Sequence, residues 1–292
     1  DKSQIFQVIN AMNRGSKVIA CVAPAFVGQF GKDATPAKLK AAMRILGFTD
    51  VVEVAIGADL CTVEEAHDFL ENVPDKLPFM GTSCCPAWSV MAKKLFPEFK
   101  DCISMALTPM VITARMVKKE HPDARICFIG PCAAKKLEAN RRTVRSDVDF
   151  VLTFEELQGM FDAKDIDFNT LEADPENGLN EGTAMGRGFA VGGGVAAAVV
   201  EAISHIDPTR EVKIEYGDGL RECRKMLMMA KAGKRNGYLL EGMACPGGCV
   251  AGAGTIQPVK QSAMSVEKFK GAAPEVSSTA SPFLDKLKDV EE

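Results

Sequence analysis

The sequence predicts an α/β protein with two lobes, each a mostly parallel or mixed twisted sheet flanked by helices, with a cleft between them. Short apolar runs alternate with amphipathic helical patterns along most of the chain, and helices of this length connect parallel strands. The alternation runs in two series, before and after about residue 120. The chain has 292 residues, 47% of them hydrophobic, which is enough for a sizeable core.

The same alternation suggests how the chain is divided. We expect one domain over residues 1–254, with a first lobe over 1–120 and a second over 121–254. Beyond residue 254 the sequence is rich in Ser, Pro, Ala and Lys, so we expect an irregular segment over 255–292 that wraps over the surface. Because the chain begins at Asp1 and not at a methionine, we expect a longer protein with a further N-terminal module.

In the first half, capping signals place the helices between apolar strands. Thr35 is a predicted N-cap, Pro36 takes the first helical position, and Gly47 ends the same helix. Thr62 and Glu65 have the spacing of a capping box, which predicts a second helix start. The predicted strands are 16–26, 50–57 and 77–81, and the predicted helices are 35–48, 62–73, 86–96 and 108–121.

The second half repeats this pattern. Thr153 and Glu156 form another predicted capping box. An acidic stretch over 163–187 has no clear pattern, and the small residues after it predict a helix that packs closely. The predicted strands are 124–130, 148–153, 211–216 and 237–245, and the predicted helices are 132–142, 153–161, 192–206 and 220–234.

Composition excludes several functions. The net charge is -4, which gives no electrostatic footprint for nucleic acid. No apolar run approaches the roughly 20 residues that a membrane span needs, and no secretory signal opens the chain, so we expect a soluble, cytoplasmic protein. Only three histidines occur, His67, His121 and His205, so the sequence offers few candidates for a histidine-dependent hydrolase or a histidine-ligated zinc site.

Five of the ten cysteines directly follow predicted apolar strands. Cys84 and Cys85 follow the strand at 77–81, and Cys132 follows the strand at 124–130. Cys245 and Cys249 come at the end of the last predicted strand. Ligand sites in open α/β sheets gather at the carboxyl ends of strands, so we expect these thiols to share one cleft.

Several thiolates at one place suit a soft metal, either zinc or an iron–sulfur cluster. Zinc sites usually use two closely spaced cysteine pairs, whereas these residues lie far apart except for the CPGGC pair at 245–249. This spacing favours a cluster held between the lobes. The alternative, that the cysteines at 84, 85 and 132 are small buried hydrophobes, is weakened by their Gly- and Pro-marked corners. The remaining cysteines are predicted core residues: Cys21, Cys61, Cys102, Cys127 and Cys223.

Three of these segments resemble the signature segments of the [FeFe]-hydrogenases, in that family's order and spacing. They are TSCCPAW at 82–88, GPCAAKKLE at 130–138 and EGMACPGGCVAGAG at 241–254. The resemblance extends to CVAPAF at 21–26, GADLCTVEEA at 57–66 and GFAVGGGV at 188–195, and so covers about residues 16–254.

The resemblance implies that the cysteines divide into cluster ligands and one proton carrier. Cys85, Cys132, Cys245 and Cys249 would bind a [4Fe–4S] cluster. Cys249 would also bridge to a two-iron subcluster with CO, cyanide and azadithiolate, which completes the H-cluster. Cys84 would bind no metal and would pass protons to and from the dithiolate amine, because only a thiol free of iron can exchange its proton.

The resemblance also implies a relay that connects Cys84 to solvent through Glu65, Ser104 and Asp68. Glu65 and Asp68 are three residues apart, so they share a helix face. Glu64 is an adjacent alternative to Glu65. The other possibility is an ordinary solvated acidic helix start, since acidic residues favour the first helical turn.

Further residues match positions around the two-iron subcluster in the family. Lys135 would donate to one cyanide, and the backbone at Ala23 and Pro24 would meet the other. Phe189 would pack over the two-iron site, and Met243 would lie against it.

Three positions depart from the family pattern. Gly130 stands where the best-known members carry methionine, Ala25 where many have serine, and Met110 where glutamine is common. These changes bear on catalytic bias, rate and oxygen tolerance.

The implied activity is the reversible reduction of protons to H2, with maturation proteins supplying the two-iron unit. The chain has no Cys-x₂-Cys-x₂-Cys run, so electrons would come from a ferredoxin or similar carrier, or from a module before Asp1. Two alternatives share the fold: a sensor that binds the same cofactor, and an iron–sulfur assembly factor without the two-iron site. Retention of Cys84 favours the enzyme.

Overall fold

A computed structural model describes residues 2–173 and 179–291 of the protein. It confirms the α/β class, with parallel sheets flanked by helices. The strands are β1 (Val18–Val22), β2 (Asp50–Glu53), β3 (Phe79–Gly81), β4 (Arg125–Gly130), β5 (Phe150–Thr153), β6 (Lys213–Asp218) and β7 (Tyr238–Met243). The helices are α1 (Ile5–Asn13), α2 (Pro36–Leu46), α3 (Val54–Asn72), α4 (Pro86–Leu95), α5 (Pro109–Glu120), α6 (Ala134–Ala139), α7 (Phe154–Asp162), α8 (Ala184–Gly188), α9 (Gly194–Ile206), α10 (Leu220–Lys231), α11 (Val259–Gly271) and α12 (Leu287–Glu291).

The strands form two parallel sheets, and each sheet takes strands from both halves of the chain. The first sheet has the order β2-β1-β4-β5, and the second has the order β3-β7-β6. The expected boundary near residue 120 therefore does not separate the sheets. The alternation of strands and helices predicts parallel pairing but carries no information about which strands become neighbours.

Two capping predictions are confirmed and one is wrong. Thr35 accepts a hydrogen bond from the Lys38 amide at the start of α2, and the capping box of α7 is complete. Thr62, by contrast, lies in the middle of α3 and donates its hydroxyl hydrogen to the Ala58 carbonyl at 2.8 Å. Helix α3 begins at Val54, where the sequence analysis expected a strand to continue to residue 57. Tertiary packing buries this first turn and overrides the local β-branched preference.

The C-terminal segment is helical and packed, where an irregular surface segment was expected. In α11, Val266 and Phe269 are buried, and the Phe269 ring meets Phe26 edge-on at 5.4 Å. The Gln29 side-chain amide donates to the Ser262 hydroxyl at 2.9 Å. The buried apolar residues of this segment have helical spacing, but the Ser and Lys residues between them hide that pattern in the sequence.

Some expectations concern residues that lie outside the described part of the chain. These residues are Asp1, 174–178 of the stretch expected to be irregular, and Glu292. Within the described residues, α8 interrupts that stretch near its end. No helix in the described ranges has the length and apolar character needed to cross a membrane.

A fully buried ion pair ties the start of α3 to α8. The Arg187 Nε donates to Glu53 Oε1 at 2.9 Å, and both side chains are inaccessible to solvent. The other carboxylate oxygen accepts the amides of Glu181 and Gly182, and the Arg187 Nη1 donates to the Phe269 carbonyl at 2.9 Å. The pair thereby connects three segments distant in sequence.

We expect Arg187→Met to lower the free energy of unfolding by about 3–5 kcal/mol, because it leaves the Glu53 carboxylate buried without its cation. Urea denaturation of the protein without metal measures this change. The matched control is Arg221→Met on the exposed face of α10, expected to change stability by no more than about 0.5 kcal/mol. Equal losses in the two variants would contradict the assigned role of the pair.

Candidate metal centre

A cavity of about 200 Å³ is lined by residues that follow three strands from both sheets. Cys84 and Cys85 come after β3, Cys132 after β4, and Cys245 and Cys249 after β7. All five side chains that the sequence analysis selected line this one cavity. The structure therefore brings together cysteines that lie as far apart in sequence as Cys84 and Cys249.

Local backbone features position these cysteines. Cys85 is the N-cap of α4, and Pro86 takes the first helical position after it. In the CPGGC segment, Gly247 and Gly248 have φ of 95° and 92°, a region that favours glycine. A Cβ on Gly248 would lie 2.5 Å from the Gly192 amide nitrogen, so the segment also packs too closely for another residue.

The other five cysteines do not line the cavity. Cys21, Cys61, Cys102, Cys127 and Cys223 are buried free thiols within the core, as predicted. The Cys223 thiol donates to the Gly217 carbonyl at 3.3 Å, which gives it an ordinary structural role.

The cavity favours neutral thiols unless a cation is bound. Burial raises the pKa of Cys132, Cys245 and Cys249, and neighbouring thiols add to this rise. Four thiolates in an apolar enclosure would repel one another strongly, so deprotonation requires bound positive charge. The donor set consequently fits a soft metal group.

The cavity cysteines do not form a compact site for a single ion. Within residues 2–173 and 179–291, no three His, Cys, Asp or Glu side chains stand close enough to bind one metal ion. The cysteines instead surround a space, and iron–sulfur clusters are held by such spaced thiolates.

Lys135 is a buried cation in the cavity wall. Its Nζ lies 2.7 Å from Glu138 Oε2 and donates to the Cys84 carbonyl at 3.4 Å. Burial is the largest single effect and lowers the pKa of Lys135, but the charge and hydrogen bond of Glu138, with smaller contributions from Cys132 and Cys84, together raise it, so the side chain remains protonated. Sequence analysis missed Glu138, although its i,i+3 spacing from Lys135 was a usable signal.

The remaining residues predicted around the two-iron group also line the cavity. Ala23 and Pro24 lie after β1, Phe189 lies after α8, and Met243 ends β7. All four contribute apolar surface to the cavity wall.

The departures from the family pattern fall at the same cavity. Ala25 and Met110 line it. A Cβ on Gly130 would lie 2.7 Å from the Phe128 ring, which itself lines the cavity. The Phe128 ring thus fills the space beside position 130, and a methionine there would require that ring to move.

Glu65 is completely buried beside the cysteine corner. Its Oε1 accepts hydrogen bonds from the Ser83 amide at 2.9 Å and the Ser83 hydroxyl at 3.2 Å, and Ser83 immediately precedes Cys84. Burial raises the pKa of Glu65 to about 7, although hydrogen bonds from Ser83 and Ser104 oppose the rise. The alternative of a solvated acidic helix start is therefore wrong for this residue.

Ser104 and Asp68 lie next to Glu65 but do not line the cavity. Ser104 is buried, and its hydroxyl accepts the Ala106 amide at 3.1 Å. Asp68 is half-buried, and its charge contributes to the raised pKa of Glu65. Glu64 is also half-buried, and it is the neighbouring Glu65 whose carboxylate accepts the Ser83 hydrogen bonds.

Glu241 is a buried acid that sequence analysis missed. Its two carboxylate oxygens accept the amides of Gly193 at 3.0 Å and Ala196 at 2.7 Å at the N-terminus of α9. Burial raises the pKa of Glu241 to about 7, against the effect of these hydrogen bonds. A single acidic residue in the otherwise apolar β7 was the available signal.

Fold and site together define an α/β protein with a buried multi-cysteine centre. The family described as "Iron only hydrogenase large subunit, C-terminal domain" matches residues 16–253. The chain therefore belongs to the iron-only hydrogenase family, whose domain binds iron–sulfur clusters.

Solved structures with this fold include hydrogenases. One is an [FeFe]-hydrogenase structure from work on oxygen inactivation. It matches with a TM-score of 0.81 and 21% identity, covering 99% of this chain and 94% of that chain. An apo [FeFe]-hydrogenase from Chlamydomonas reinhardtii has a TM-score of 0.80 and 22% identity, with the same coverage.

Curated relatives are of two kinds. Iron hydrogenase 1 of Clostridium pasteurianum is 30% identical over 93% of this chain and 56% of its own length. The periplasmic [Fe] hydrogenase large subunit of Nitratidesulfovibrio vulgaris is 30% identical over 77% of this chain and 63% of its own length. A probable cytosolic Fe–S cluster assembly factor of Aedes aegypti is 28% identical over 78% of this chain and 58% of its own length. The chain spans less than two thirds of each relative.

We expect Cys249→Ala to lose most of its iron, because it removes one of the thiolates that surround the cavity. Iron and acid-labile sulfide after anaerobic reconstitution measure the loss. Cys223→Ala is the matched control, since it removes a buried thiol outside the cavity and should keep the iron. Normal iron content in Cys249→Ala would overturn the ligand assignment.

Glu65 should make the apoprotein less stable as pH rises. Its pKa is about 7 when folded against an ordinary 4.5, so the folded state binds more protons between these values and stability falls across that window. The difference between these two pKa values corresponds to a loss of no more than about 3 kcal/mol in the free energy of unfolding. Glu65→Gln should remove this part of the pH dependence, as measured by urea denaturation from about pH 4.5 to pH 7.5.

The exposed Glu155→Gln on α7 is the control and should retain the full pH dependence. If Glu65→Gln keeps the same slope as the control, the buried carboxyl is not the titrating group.

Proposed function

We propose that the protein is an [FeFe]-hydrogenase catalytic domain that interconverts protons, electrons and H2 at an H-cluster. The observation that carries this proposal is the convergence of five cysteines, from three strand ends in two sheets, on one apolar cavity. Five sulfurs exceed the need of a four-thiolate cluster and leave one thiol for another task.

Cys85, Cys132, Cys245 and Cys249 would hold the [4Fe–4S] cluster, and Cys249 would bridge to the two-iron subcluster with its CO, cyanide and azadithiolate. When bound, the group supplies an open metal position, a nearby amine base and a path for electrons. The protein's contribution is orientation, a dry environment and control of protons.

Cys84 carries the proton at the cavity wall in this proposal. Burial and the charge of Glu65 raise the pKa of the Cys84 thiol, so the side chain rests in its protonated form. It can therefore donate a proton and must then be reprotonated, and Glu65 is bonded to Ser83, the residue that precedes Cys84. With a pKa of about 7, Glu65 both takes up and releases a proton near neutral pH.

Ser104 and Asp68 continue the proposed relay outward. Ser104 is buried beside Glu65, and Asp68 follows Glu65 by three residues on the same face of α3. Asp68 is half-buried, so the relay progresses from a fully buried acid to one that solvent reaches.

The cavity wall supplies orientation and exclusion of water. Lys135 keeps a positive charge at the wall and suits an anionic cyanide ligand, with Glu138 holding its side chain in place. The backbone at Ala23 and Pro24 faces the same space, and Phe189 and Met243 close it with apolar surface. A ferredoxin or similar carrier would exchange electrons, maturation proteins would deliver the two-iron unit, and we propose the cytoplasm as the location.

The second candidate is an iron–sulfur assembly factor, favoured by the Aedes aegypti relative at 28% identity. Such a protein needs no proton carrier beside its cluster. The buried contact from Ser83, next to Cys84, to Glu65 therefore favours the hydrogenase.

Infrared spectroscopy and H2 production by the anaerobically matured protein test the proposed function. We expect CO and cyanide bands together with viologen-driven activity. Bands without turnover would indicate a sensor, and a protein with bound iron but no such bands would indicate an assembly factor.

We expect Cys84→Ala to retain iron and infrared bands while its activity falls by at least about 100-fold, because proton transfer is lost. Cys102→Ala, which removes a buried thiol outside the cavity, should keep full activity. Loss of iron in Cys84→Ala would show that this cysteine is a ligand.

A further inference from the structure

The CPGGC segment at 245–249 is held from outside the cavity by the side chain of Asp218. Asp218 is the last residue of β6, and its Oδ1 accepts a hydrogen bond from the Gly247 amide at 2.7 Å. Gly247 lies midway between Cys245 and Cys249 in sequence. Both cysteines line the cavity, whereas Gly247 and Asp218 are not among the described residues that line it. The Gly247 amide therefore bonds on the outer side of the segment.

Tyr216 fixes the orientation of this carboxylate. Its hydroxyl donates to the same Asp218 Oδ1 at 2.7 Å. The Tyr216 hydroxyl lies so close to Gly192 that a Cβ on Gly192 would clash with it. The Gly192 amide in turn donates to the Gly247 carbonyl at 3.1 Å. Both backbone polar groups of Gly247 are thus bonded, one to the end of β6 and the other to the segment before α9.

The Asp218 carboxylate forms no ion pair with a cation of residues 2–173 and 179–291. The cations of the neighbouring segments, Lys225 in α10 and Arg235 before β7, pair instead with Glu222 and Glu215. The segment that carries two of the proposed cluster ligands therefore has an uncompensated carboxylate bonded to its outer side.

We propose that Asp218 and Tyr216 are positioning residues for the proposed [4Fe–4S] cluster, which fix the CPGGC segment and place a negative charge beside it that lowers the reduction potential of the cluster. This inference rests on the proposed function and adds the residues that tune its electron-transfer centre. Reduction adds negative charge to a cluster, so a nearby carboxylate disfavours it. Groups bonded to the residues around metal ligands tune both the affinity and the potential of the metal.

The hydrogen bond to Gly247 acts in the same direction. A backbone amide that donates to a cluster sulfur favours reduction, because it stabilises the added negative charge. The Gly247 amide is engaged by Asp218 and does not provide such a bond.

The test uses the protein reconstituted with iron and sulfide alone, so that its readout does not depend on hydrogenase activity. The midpoint potential of the cluster is measured at low salt by a redox titration followed by electron paramagnetic resonance, and the rate of iron loss to a chelator is measured beside it. Asp218→Asn keeps an acceptor and removes the charge, whereas Tyr216→Phe keeps the charge and removes its donor. The matched control is Glu211→Gln, which removes an exposed carboxylate just before the opposite end of β6.

We expect Asp218→Asn to raise the midpoint potential, so that the ratio of reduced to oxidised cluster at the original midpoint increases about threefold. Tyr216→Phe should lower the midpoint potential, because the carboxylate loses the donor that offsets part of its charge. Asp218→Ala should release iron about tenfold faster, because the Gly247 amide loses its charged acceptor. Glu211→Gln should change neither quantity.

Several outcomes would overturn the inference. They are an unchanged midpoint potential in Asp218→Asn, an equal shift in the control, and shifts of the same sign in Asp218→Asn and Tyr216→Phe, which would identify a disturbed segment and not the charge as the cause. Tyr216→Phe retains Asp218, so it tests the charge even if Asp218→Asn does not fold. If the midpoint potentials shift as expected but the matured protein shows neither CO and cyanide bands nor H2 production, the proposed function fails and the role of Asp218 stands.

Discussion

The structure depends on one electrostatic constraint, the burial of several cysteine thiols around a single apolar cavity. Burial and mutual proximity raise the pKa of Cys132, Cys245 and Cys249, so this arrangement carries negative charge only when a cationic group compensates it. The single positive charge of the buried Lys135 cannot neutralise four thiolates. The cavity therefore suits a bound cationic cluster, which would compensate the charge of the thiolates.

Parallel pairing in two sheets satisfies this constraint. The carboxyl ends of β3, β4 and β7 deliver residues to the same cavity, although β4 belongs to one sheet and β3 and β7 to the other. Short corners after each strand, marked by Pro86 and by Gly248, turn the chain so that the cysteines face inward. A single sheet would supply ligands from one side only.

Buried charges outside the cavity hold its surroundings in place. The Glu53–Arg187 pair ties α3 to α8, which leads to Phe189 in the cavity wall. Glu241 fixes the N-terminus of α9 against β7, and Glu65 bonds to Ser83 beside the proposed proton carrier. Each of these acids accepts backbone amide hydrogen bonds, which offset part of the cost of burial. Glu65 and Glu241 remain at a pKa of about 7, where a proton is easily exchanged.

The sequence alone determined the α/β class, the caps of α2 and α7, and the five cysteines of the cavity, because these depend on periodicity and on residues at strand ends. It could not determine which strands pair, where α3 begins, or that α11 packs against Phe26, since these depend on contacts between distant segments. Only the tertiary structure decided that Glu65 is buried and bonded to Ser83, and that Glu138 and Glu241 support the site. An acidic residue looks the same in sequence whether water or a buried amide solvates it, and three-dimensional packing alone makes that difference.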